Sequence, residues 1–136
     1  MGALIDTSVF VAAERNETHS AWCLERLANV TDGAISPIVV SELRVGVETV
    51  AGMGLIAAAR SATLETALRL PCLPITAATA ALHAQLASSL RGRGSVRTRT
   101  HDVWLAATAI EHGIPLLTCN RRDFADIVGL KLIAPE

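Results

Sequence analysis

Short, wholly apolar runs alternate along the chain with longer stretches in which apolar residues recur every three or four positions. The first run, Ala3-Leu4-Ile5, reads as a buried strand and stops at Asp6-Thr7-Ser8, a helix-start signature. A helix is predicted from Val9 to Glu14, broken at Arg15-Asn16-Glu17, and residues 19–30 carry Trp22, Cys23, Leu27 and Val30 at helical spacing. Asp32-Gly33 reads as a turn before a second strand, Ala34-Ile35. Ser36-Pro37 offers an N-cap followed by proline at the first helical position, opening a helix to about Val50 that ends at the Gly52/Gly54 pair. A further helix spans about 55–69, and Pro71 to Ile75 reads as a third strand with prolines toward its ends.

Thr76 caps an Ala-rich helix to about Leu90, and Arg91-Gly92-Arg93-Gly94 then opens an irregular basic loop to Thr100. The next helix, about 101–112, ends at Gly113 in the C′ position where glycine is favoured. Ile114 to Thr118 is a fourth strand, followed by a helical turn around 121–127 and a last strand, Lys131 to Ile133. Short buried strands alternating with helices imply parallel βαβ units in a doubly wound sheet, so the fold class is α/β. No repeat, low-complexity segment or linker divides residues 1–136, which read as one domain.

Composition narrows the field. Apolar residues are 51% of the chain and charged ones 18%, which excludes disorder. Four aromatics and no Tyr argue against a base-stacking platform for nucleic acid. The three cysteines show no metal-ligand spacing and no legible disulfide framework, so they are expected as small buried thiols in a reducing compartment. With no basic n-region and no long apolar run, the chain is expected in the cytoplasm and off the membrane.

The candidate chemistry is acidic. Asp6 follows the first strand directly, Glu42 lies in the second turn of the helix after the second strand, Asp102 begins a helix after the basic loop, and Asp123 follows the fourth strand. In a parallel sheet the carboxyl ends of the strands share one edge, which brings Asp6, Glu42 and Asp123 there, and Asp102 with them if its helix starts on that side. Each Asp could instead be a helix cap, whereas Glu42 lies too deep in its helix to cap it and could only be a solvated residue otherwise. Clustered carboxylates repel unless a cation neutralises them, and oxygen-only ligands select Mg²⁺ or Mn²⁺. Such a site suits phosphodiester hydrolysis.

Charge distribution points the same way. The formal net charge is −1, yet six of the 11 arginines fall between Arg91 and Arg122. Arg91, Arg93, Arg97 and Arg99 lead into Asp102, and Arg121-Arg122 precede Asp123. Arg91, Arg93, Arg97, Arg99 and Arg121 are therefore candidate contacts to the phosphate backbone of a polyanion, the bland alternative being a solvated basic loop.

Leu4-Ile5-Asp6-Thr7-Ser8, Ser41-Glu42 with Gly46, Asp102 to Ala109, and Thr118-Cys119-Asn120-Arg121-Arg122-Asp123-Phe124 together resemble the PIN-domain family, and within it the VapC-type toxins of bacterial toxin–antitoxin pairs. The match runs from about residue 3 to 134 with all motifs in order. The resemblance implies a three-layer α/β/α sandwich around a short parallel sheet and a Mg²⁺-dependent endoribonuclease. By position it makes Asp6 and Asp102 the principal metal ligands, Glu42 a residue that completes the site or helps activate water, and Asp123 the fourth acid. Thr7, Ser8, Thr118 and Asn120 match polar positions that orient these acids. The family also implies a homodimer and a small antitoxin packed against the helices of segment 37–69. His101 stands where relatives often carry an acid or Asn, and it is expected to be an exposed first-turn histidine without a role.

Two other readings compete. A non-cleaving PIN-like module would bind RNA or protein with the same fold, although all four acids are present. A receiver-type phosphoacceptor domain wants paired acids after the first strand and a late Lys, whereas Asp6 stands alone and Lys131 is the only lysine.

Overall fold

The computed structural model of the chain describes residues 2–15, 20–92 and 99–135. Its centre is the first apolar run. Strand β1 (Gly2–Ile5) lies between β2 (Asp32–Ala34) and β3 (Leu116–Leu117), and β4 (Leu132–Ile133) pairs with β3, giving the order β2-β1-β3-β4 with every pairing parallel. Ala3, Leu4 and Ile5 are buried, as are Leu116 and Leu117, which is why these runs show no polar alternation.

Among the described residues six α-helices cover the sheet: α1 (Thr7–Arg15), α2 (Ala21–Asn29), α3 (Pro37–Thr49), α4 (Leu55–Leu68), α5 (Ala77–Ser89) and α6 (Thr100–His112). They pack mainly in pairs, α1 with α2, α3 with α4 and α5 with α6, while α6 also lies against β1 and β3. This is the α/β/α arrangement expected of the sequence. Val103, Leu105, Ala106, Ala107, Thr108 and Ala109 of α6 are all buried. The small alanines let that helix close tightly on its neighbours. Local signals act as read: Ser36 accepts from the Ile38 N–H, Thr76 and Thr79 form a reciprocal cap on α5, and Gly113 ends α6 in the left-handed conformation. No helix among the described residues is long and apolar enough to cross a membrane.

Three expectations are corrected. Asp32-Gly33 is strand rather than turn, paired with Gly2 and Ala3. Gly33 is there for packing, because a Cβ on it would stand 3.0 Å from Ile5 Cδ1 and 3.1 Å from Val30 Cγ1. The third strand shrinks to a single bridge between Cys72 and Ile35. Pro71 and Pro74 have no N–H to donate, so no ladder extends beyond that bridge. Finally, Cys23 and Cys119 are disulfide-bonded with their Cα atoms 6.6 Å apart, and Cys72 is an exposed thiol. The bond joins α2 to the segment after β3 across 96 residues of sequence, a proximity that cysteine spacing could not reveal.

Candidate acidic active site

The register of β1 on β3 sets the site. Ile5 pairs with Leu117, so the next residues, Asp6 and Thr118, emerge side by side at the carboxyl edge. Asp6 is nearly buried, and its Oδ2 accepts from Ser8 Oγ at 2.7 Å and from Thr118 Oγ1 at 2.8 Å. Each hydroxyl in turn accepts a backbone N–H from the loop after β3: Cys119 N donates to Ser8 at 3.0 Å and Asn120 N to Thr118 at 3.1 Å. These linked donors orient one carboxylate oxygen and reinforce one another.

Glu42 comes from α3, Asp102 from the first turn of α6, and Asp123 from a 3₁₀ turn (Arg121–Asp123) that follows β3. All four acids line one cleft of about 550 Å³, together with Thr7, Ser8 and Asn120. Thr7 Oγ1 donates to Glu42 Oε1 at 3.0 Å, bridging the start of α1 to α3. Asn120 acts through its backbone N–H on Thr118 and lines the cleft with its own atoms.

The electrostatics are those of acids crowded together. Burial pushes the Asp6 carboxyl up, against the pull of the Ser8 and Thr118 hydroxyls and of the Thr7 and Ser8 backbone. Burial also raises Glu42, with Asp6 adding to it and Thr7 opposing. Asp102 is pushed up to about 6, first by desolvation and then by the charges of Asp6, Asp123 and Glu42, with Arg99 opposing. A hard cation would relieve this repulsion, and carboxylate oxygens are the donors Mg²⁺ and Mn²⁺ prefer. Among the described residues no three His, Cys, Asp or Glu side chains already stand close enough to grip one ion between them. The fit is therefore one of donor type and charge.

The arginines divide. Arg93 and Arg97 lie outside the described residues. Arg91 is exposed just beyond α5. Two others expected on RNA are engaged within the chain instead. Arg99 forms a fork on Asp126, at 2.6 and 2.9 Å, and reaches the Asp123 carbonyl at 3.1 Å. Arg121 donates to the Pro135 and Ala134 carbonyls at 3.1 and 2.8 Å. Intrachain carboxylate and carbonyl acceptors thus occupy donors that the charge pattern assigned to phosphate.

One residue lining the cleft was missed. Arg15 lines it with Thr7, Ser8, Val11 and Ala12 of the same helix. The signal was the helical spacing from Thr7 to Arg15, which places them on one face. His101, expected to have no role, has Nδ1 at 3.9 Å from Glu42 Oε2.

Comparison with known proteins agrees with this geometry. Residues 3–130 match the family model of the PIN domain. Ribonuclease VapC4 of Mycobacterium tuberculosis is 36% identical over 131 residues, covering 96% of this chain and 95% of that protein. Ribonuclease VapC1 of Rickettsia felis is 32% identical over 133 residues, covering 98% and 96%. The crystal structure of VapBC-5 from Mycobacterium tuberculosis, a member of the VapBC family of toxin–antitoxin systems, matches with a TM-score of 0.75 at 31% identity over 98% of both chains. With the family model spanning nearly the whole sequence and full-length relatives above 30% identity, the chain belongs to the PIN-domain family, among its VapC ribonucleases.

Proposed function

We propose that the chain is the toxin of a toxin–antitoxin pair, an endoribonuclease that hydrolyses RNA phosphodiester bonds in the acidic cleft with Mg²⁺ or Mn²⁺ as cofactor. The observation that carries this reading is the convergence of Asp6, Glu42, Asp102 and Asp123, from four separate segments, on one cleft. Asp6 and Asp102 would be the principal ligands, with Asp123 as the fourth acid. A divalent ion held by them would polarise a phosphoryl oxygen and lower the pKa of water. Glu42 accepts from Thr7 on Oε1, and Oε2, with His101 Nδ1 3.9 Å away, would take a proton from an incoming water. Ser8 and Thr118 hold Asp6 in one orientation, so its charge needs no rearrangement when substrate arrives. Arg15 on the cleft wall and Arg91, with Arg93 and Arg97, supply cations for the phosphate backbone.

The antitoxin surface is assigned to α3 and α4. Val45, Met53, Leu55 and Ile56 are exposed there, and Leu55 is 91% accessible. An uncovered apolar patch of this kind suits a helical partner, and the matched VapBC-5 structure belongs to a toxin–antitoxin family. The homodimer follows from the family resemblance.

The deciding assay is cleavage of labelled total RNA by purified, antitoxin-free protein with Mg²⁺, with Mn²⁺, with EDTA, and with Asp6→Ala. Discrete fragments that require metal and vanish in the variant are expected. Intact RNA in every lane, from folded protein, would refute the general nuclease and favour a non-cleaving binding module.

A further inference from the structure

Two of the cleft's acids sit on elements joined by an ion pair that the charge pattern alone assigned elsewhere. Arg99 lies three residues before Asp102, at the N-terminal cap of α6, and Asp126 lies three residues after Asp123. Arg99 NH2 donates to Asp126 Oδ1 at 2.6 Å, NH1 donates to Oδ2 at 2.9 Å, and NH2 also reaches the Asp123 carbonyl at 3.1 Å. The Arg99 side chain is 16% exposed and that of Asp126 35%, so the pair is partly shielded from solvent. A planar fork on a carboxylate fixes orientation as well as distance, which a single surface contact does not. One end of the fork grips the backbone of an acid, and the other end belongs to the helix that carries a second acid.

We propose that the Arg99–Asp126 pair is a positioning clamp that sets the placement of Asp123 against Asp102, and through it the affinity of the cleft for a divalent cation. The clamp rests on the cleft being a metal site, as proposed above. Arg99 is then a positioning residue, with its donors spent within the fold rather than on RNA. Phe124 and Ile127, both buried, anchor the same segment in the core, so losing the pair leaves the fold standing and loosens the backbone between α6 and that anchor.

The test uses the full chain as wild type, Arg99→Gln, Asp126→Asn and the double variant. Hydrogen exchange is read at the amides of Asp123, Phe124 and Ala125, which bond to Asn120 and Arg121 carbonyls. Affinity for Mn²⁺ alone is read by titration calorimetry, and cleavage kinetics are read on RNA. Each single variant is expected to speed exchange at those amides and to weaken Mn²⁺ binding about tenfold, as loss of a supporting partner around a metal site does. The double variant should lose less than the sum of the two single ones, because both remove the Arg99–Asp126 fork. Arg99→Lys, which keeps the charge and loses the fork, should fall between. KM for RNA should stay unchanged while kcat falls. Wild-type protein that binds Mn²⁺ beside an Asp126→Asn variant that binds it equally well would overturn the clamp alone. A rise in KM with Arg99→Gln and none with Asp126→Asn would also overturn it, making Arg99 an RNA contact. Wild-type protein that binds no Mn²⁺ would overturn the metal reading of the cleft, and the clamp's purpose with it.

Discussion

Asp102→Asn, in metal-free protein, should make the chain more stable at pH 7.5. The Asp102 carboxyl is pushed up from 3.8 to about 6 by burial and by the charges of Asp6, Asp123 and Glu42. The folded state therefore holds this proton more tightly than the unfolded chain does. Stability contributed by the protonated form is fully present below about pH 4, and it falls as pH rises toward and through about 6. Above that the charged carboxylate opposes folding by a constant amount. The whole difference corresponds to about 3 kcal/mol. The side chain is half exposed, so solvent screening reduces this to about 1–2 kcal/mol. Asn keeps the shape and removes the charge, so it should recover that amount at pH 7.5 and gain little at pH 4. Urea denaturation in EDTA at both pH values measures it. Adding Mg²⁺ should then stabilise the wild type more than the variant, since ligand that binds only the folded state adds RT ln(1 + [L]/Kd). Equal or lower stability of the variant at pH 7.5, without metal, would refute the account of the cleft as an uncompensated acidic cluster.

Thr118→Val should leave the Asn120 N–H without its acceptor and Asp6 without one donor, costing about 1–3 kcal/mol. Removing a bond to the charged form raises Asp6 further, so the acidic limb of the pH–rate profile should move to higher pH; an unmoved limb would count against Thr118 as its orienting group. Cys23→Ser should cost about 2–4 kcal/mol more under oxidising conditions than under reducing ones, by paired denaturation curves. Thiol titration of unreduced, denatured wild type should find Cys72 alone, and three reactive thiols would remove the Cys23–Cys119 bond from the account. Gly33→Ala should destabilise by about 1–2 kcal/mol through crowding against Ile5 and Val30, and a neutral effect in thermal melts would show that the core there yields.

Local chemistry was legible where one residue type answers one local demand. Ser36, Thr76 and Gly113 cap their helices as read, because a cap is decided by atoms within three or four residues. The apolar runs at Ala3 and Leu116 declared their burial on both faces. Asp32-Gly33 was misread for the same reason in reverse: the local rule favours a turn, while the side chains of Ile5 and Val30 demand the missing Cβ. The prolines of 71–75 were tolerated at strand ends by rule, yet they removed the donors a full strand would need.

The sequence by itself determined the parallel α/β class, because short apolar runs alternate with helical periodicity, and it singled out Asp6, Glu42, Asp102 and Asp123 as candidates through the shared carboxyl edge of a parallel sheet, while Thr7, Ser8 and Thr118 came in through the family resemblance. Only the tertiary structure decided that Cys23 meets Cys119, that Arg15 faces the cleft, that Arg99 reaches Asp126 and that Arg121 reaches the Ala134 and Pro135 carbonyls. These are contacts between residues 13 to 96 positions apart, or choices of helix face, and no local pattern records which partner a guanidinium or a thiol will reach once the sheet has closed.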